Sequence, residues 1–136
     1  MFYGINEVAV IVSAILSMAV GSIWYSPLLF GKQWMVAVGL TEADMESAKA
    51  RMPKMFALAA CANIILLFVL AHVVARVEEL GMTVFVASVS VVILMGAALA
   101  GNTIWEQRSL SYFLINLTYM AVIIIGGMHV IAYWPG

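Results

Sequence analysis

Six side chains set in strongly apolar surroundings are able to do chemistry: Tyr25, Asn63, Asn102, Glu106, Asn116 and Tyr119. Amides, phenols and one carboxylate can replace the hydration shell of a small solute or ion, the chemistry of a binding pocket or permeation vestibule. They do not make a nucleophile–base–metal set, so the expectation is a non-enzyme without cofactor or metal centre. At 3.6 residues per turn, Asn102 and Glu106 share one side of a helix, and Tyr112, Asn116 and Tyr119 share one side of another. A structural use competes with the functional one. Buried amides also tie helices together, and Glu106 can close an ion pair with Arg108, two residues on. His72 and His129 invite a metal site with Glu7, Glu78 or Met128. On ideal helices, however, each lies about half a turn from the asparagine of its own segment and points outward. Cys61 is the single cysteine, which excludes an internal disulfide and thiol-pair chemistry.

The elements that must position these groups follow from composition. Of 136 residues, 65% are hydrophobic and 10% charged, against about 45–50% and about 25% in soluble domains. Mean hydropathy is +1.10. Too little polar surface remains to face water, and a net charge of −1 without any basic run excludes a nucleic-acid binder. Stretches free of Asp, Glu, Lys and Arg run over 8–31, 55–75, 80–105 and 109–136, each long enough to cross a hydrocarbon core of about 30 Å as a helix. The predicted fold is an all-α membrane protein, a single domain over 1–136. Its four transmembrane helices, at about 8–30, 55–75, 82–105 and 110–134, form an antiparallel bundle. The apolar runs are continuous rather than alternating, which argues against a barrel. Glu7, with no basic residue, precedes the first run, and no A-x-A-like site follows it, so it reads as a retained helix.

Basic residues orient the bundle. Lys32, Lys49, Arg51 and Lys54 lie in the first loop and Arg108 in the third, whereas the other side has Arg76 alone. The positive-inside rule places the first and third loops in the cytoplasm and both termini outside, as in a bacterial inner or plasma membrane. Within the first loop, Thr41 and Asp44 have the spacing of a capping box, predicting a short surface helix from Thr41 to Met52 with Met45, Ala48 and Met52 on one side. Ser26-Pro27 bends or ends the first span. Small residues (Ser13, Ser17 and Gly21; Ala59 and Ala62; Gly96, Ala97, Ala100 and Gly101) argue for close helix packing, within the chain or in a homo-oligomer.

The run from Gly21 through Trp24-Tyr25-Ser26-Pro27 to Phe30-Gly31-Lys32 and Trp34-Met35, followed by Gly39-Leu40-Thr41-Glu42, resembles the opening of the family catalogued as domain of unknown function 1761. Asn102 to Trp105-Glu106 with Arg108, and Leu114-Ile115-Asn116 with Tyr119, resemble its second half. The resemblance implies a small multi-span membrane protein and brings no activity with it. Depth along the spans puts Tyr25, Asn63, Asn102, Glu106, Asn116 and Tyr119 in the cytoplasmic half, where convergence would make a site for a small solute or ion in a lipid-embedded homo-oligomer. The alternative is a non-transporting accessory or assembly subunit that uses its small-residue stripes and charged first loop for docking.

Overall fold

The computed structural model describes residues 4–136. Six α-helices appear in chain order: α1 (Glu7–Trp24), α2 (Gly31–Val38), α3 (Glu42–Ala48), α4 (Met52–Arg76), α5 (Val84–Trp105) and α6 (Leu110–Ala132), with a 3-10 turn at Lys49–Arg51. The described residues contain no strand. α1, α4, α5 and α6 are long and apolar enough to cross a membrane, which makes this an all-α membrane bundle.

Local chemistry sets the ends of these helices. Asn6 caps α1 by accepting from the Ala9 N–H at 3.1 Å, and Thr83 and Ser109 cap α5 and α6 in the same way. α1 stops at Trp24, short of the predicted limit near residue 30, because Pro27 cannot donate and the chain folds back on itself. The Gly31 N–H donates to the Ser26 carbonyl at 2.9 Å and the Phe30 N–H to the Trp24 carbonyl at 3.0 Å. This elbow starts α2, an element the sequence reading did not contain. Gly39, in the left-handed region at φ +74°, ends α2.

The predicted surface helix is present as α3 and the 3-10 turn. Its capping box closes through Thr41 N–H to Asp44 Oδ2 at 2.8 Å and Asp44 N–H to Thr41 Oγ1 at 3.2 Å. The Thr41 hydroxyl and backbone N–H hold the Asp44 carboxyl below its usual range. A depressed carboxylate contributes stability above its ordinary range and loses it as pH falls through the folded-state value. α3 is therefore expected to fray on acidification, and Asp44→Asn to abolish that pH dependence. Amide exchange at Met45–Ala48 across a pH series checks both.

α6 is the central helix. α1 and α4 pack on it and on each other, whereas α5 packs almost wholly on α6 and barely touches α4. Leu67, Ile124 and Met128 are the large apolar side chains sealed inside, flanked by Ala9, Ala14 and Ala71. Small residues permit the close approaches. A Cβ at Gly127 of α6 would lie 2.6 Å from Leu67 Cδ2 of α4, and one at Gly96 of α5 2.9 Å from Leu117 Cδ1. Buried Ser17 donates to the Ser13 carbonyl at 2.8 Å, and Ser13 reaches the Gly127 carbonyl at 3.5 Å. The stripe Ser13–Ser17–Gly21 is thus consumed inside the chain, while a Cβ at Gly101 would meet nothing within 4 Å.

Candidate functional site: an aromatic–amide cluster and the cleft below it

At the end of the bundle that carries the α1–α2 elbow, α1 and α6 run antiparallel and bring Tyr25 against Asn116. The Tyr25 hydroxyl donates to Asn116 Oδ1 at 2.7 Å, and Asn116 Nδ2 donates to the Tyr112 carbonyl one turn back at 2.8 Å. Asn116 therefore joins two helices with its amide engaged on both sides. The Tyr25 ring stands edge-on to Tyr119, with centroids 5.2 Å apart, and edge-on to Trp34 of α2 at 5.5 Å. Next to it, Trp24 Nε1 donates to the Ile115 carbonyl at 3.1 Å and its ring packs on Phe30 at 4.8 Å.

Deeper in the membrane the Tyr119 hydroxyl lies against Gly21, where an added Cβ would stand 3.0 Å from it, and faces Asn63 of α4. The Asn63 Nδ2 donates to Met18 Sδ at 3.1 Å. Tyr25, Asn63, Asn116 and Tyr119 thus come together across α1, α4 and α6, much as their common depth suggests.

Asn102 and Glu106 do not join them. α5 lies on the far side of α6, so the face of α5 that carries them turns outward, and both are exposed. Thr103, one step further round, is the buried residue, and its hydroxyl donates to the Leu99 carbonyl at 2.7 Å. Glu106 instead accepts from Arg108 Nε at 3.3 Å, and the guanidinium sits 5.6 Å from the centroid of the Tyr112 ring. The ion-pair geometry is the one the structure contains.

His72 is exposed and His129 half-buried, and their Nδ1 atoms lie 2.9 and 2.7 Å from the carbonyls of Phe68 and Ile125 on their own helices. Among the described residues no three His, Cys, Asp or Glu side chains gather closely enough to hold a metal ion.

Below the aromatic cluster opens a cleft of about 330 Å³. Tyr25 and Trp34 form its aromatic wall, with Met35, Met45 and Met52 as aliphatic lining and Lys32, Lys49, Glu42 and Glu46 around it. Lys49 pairs with Glu46. The sequence reading missed this cleft because it had no α2. The signal was present in the predicted apolar side of the surface helix, since Met45 and Met52 are the side chains turned into it.

A family model covers residues 8–132, from the second residue of α1 to the last of α6. The chain belongs to the family described as a protein of unknown function, DUF1761. No curated protein and no solved structure matches the chain. The DUF1761 match takes in the elbow, the aromatic–amide cluster and every residue that lines the cleft.

In this DUF1761 protein the Tyr25–Asn116 bond tests how much the cluster matters. Tyr25→Phe removes one interhelical hydrogen bond and is expected to cost about 0.6–1.7 kcal/mol. Asn116→Leu also leaves the half-buried Tyr25 hydroxyl without its acceptor and should cost more, about 1–3 kcal/mol. Reversible unfolding in mixed micelles checks the order of the two.

Proposed function

We propose that this protein is a non-enzymatic, membrane-embedded binding module for a small solute, and that the cleft beneath Tyr25 and Trp34 is where the solute sits. One observation carries the reading. Tyr25 is held by the hydrogen bond that its hydroxyl donates to Asn116 and by two edge-on rings, so it forms a preorganised wall to a cleft that α2 and α3 complete. Apolar lining with a few charged groups at the margin is the usual make-up of a small-molecule site.

The amide and phenol groups above the cleft are engaged with one another, which supports binding over free permeation. The excess of Lys and Arg in the two loops at this end supports a cytoplasmic opening. In the same reading, copies of the chain associate through the outward face of α5, where Ala97 is exposed and a Cβ at Gly101 would meet nothing within 4 Å among the described residues.

Thermal unfolding of the protein in phosphatidylcholine nanodiscs against a panel of metabolite classes tests the reading. A ligand at about 100 times its Kd stabilises the folded state by about 2.7 kcal/mol. At least one class should raise the Tm of the wild type but not of Trp34→Ala. Identical melting with every class in both proteins would reject it.

A further inference from the structure

The cleft's lining narrows the ligand, given that the binding reading above holds. Apart from Pro27, the aliphatic side chains that face the cleft without a charge are all methionines, although Val, Leu and Ile together far outnumber Met in the chain. Methionine is unbranched and polarisable, and it reshapes around apolar partners of varying form better than branched side chains do. Tyr25, Trp34 and Pro27 add flat, rigid surface on the same side. The interior therefore suits a flexible hydrocarbon chain rather than a polar metabolite.

The charges select the head group. Lys49 is neutralised by Glu46. Glu42 stands in the first turn of α3, where a negative charge is favoured by the helix dipole. Lys32 stands in the first turn of α2, where a positive charge is disfavoured, and it forms no ion pair with a carboxylate among the described residues. Glu42 likewise forms no ion pair among the described residues, so the four lining charges balance, and of the two unpaired ones Lys32 is the one its own helix end disfavours and an anionic head group would relieve. The cleft also lies level with the end of α1 and the start of α4, where the hydrocarbon region gives way to head groups.

We infer that the cleft binds a single-chain anionic amphiphile, with its phosphate or carboxylate on Lys32 and its chain laid over Met35, Met45 and Met52 against Trp34. Bromine on an alkyl chain quenches tryptophan fluorescence at contact, so 10-bromodecyl phosphate reports occupancy at Trp34. The protein is titrated in phosphatidylcholine nanodiscs with this probe, with 10-bromodecanol and with 10-bromodecyltrimethylammonium.

The phosphate should give saturable quenching at about tenfold lower concentration than either of the others, the discrimination of one charge-assisted contact. Trp34→Phe should remove the saturable component. Lys32→Gln should bring the three probes within about twofold of one another, and Glu42→Gln should leave the preference for phosphate in place. Equal affinity for all three heads in the wild type would overturn the anionic assignment while leaving the cleft as a binding site. Competition by inorganic phosphate as effective as that by decyl phosphate would overturn the amphiphile and leave a free anion as the ligand. Absence of saturable quenching by every probe, together with a Tm response to a polar solute, would overturn this inference alone. Absence of both responses would remove the binding reading with it.

Discussion

Gly31→Ala is expected to open the elbow between α1 and α2 and to lower stability by roughly 3 kcal/mol or more. A Cβ at this position would stand 2.6 Å from the backbone carbon and oxygen of Ser26 and from the carbonyl oxygen of Tyr25. Those atoms belong to the main chain, so no side-chain rotation relieves the overlap. Relief requires the Gly31 N–H to leave the Ser26 carbonyl, which shifts α2 and carries Trp34 away from Tyr25. A Tm loss together with a changed environment of Trp34 is the expected signature. A destabilised protein with an unaltered Trp34 emission would show that the elbow absorbs the methyl group by another route.

The second large effect lies where α4 crosses α6. Leu67→Ala empties a site that is 1% exposed and should cost about 2–5 kcal/mol. Gly127→Ala alone drives a methyl group into Leu67 Cδ2 and should cost about 1–3 kcal/mol. With Leu67 already shortened, the same methyl group enters vacated space. The double variant should therefore be no less stable than Leu67→Ala, a coupling of about 1 kcal/mol or more. Unfolding of the four proteins in one detergent system measures it. Strict additivity would mean that the helices separate rather than interlock at this crossing.

The spans were legible because mid-membrane charge is so costly that its absence marks them out. Depth was legible as well, since rise per residue converts position into height, and it placed Tyr25, Asn63, Asn116 and Tyr119 at levels where they meet. Azimuth was not. Asn102 and Glu106 would face the others in a bundle arranged around a common axis, but α5 leans on the back of α6, and its polar edge turns away. In lipid, neither face of α5 is forced inward by water, so a pattern of apolar residues carries little information about which side is covered. Pro27 announced a break without saying what came next. The short helix that follows depends on backbone closure around Gly31, a contact between main-chain atoms that leaves only a single glycine as its trace.

That α6 seats the other three spans has a consequence for biogenesis. α6 is synthesised after all of them, so Ser13, Leu67 and the phenol of Tyr25 enter the membrane before Gly127 and Asn116 exist to receive them. The α1–α4 contact, with Asn63 on Met18, can close as soon as α4 is inserted, but the contacts made on α6 have to wait. α5 is the span most dependent on that last arrival, since it has almost no other partner within the chain.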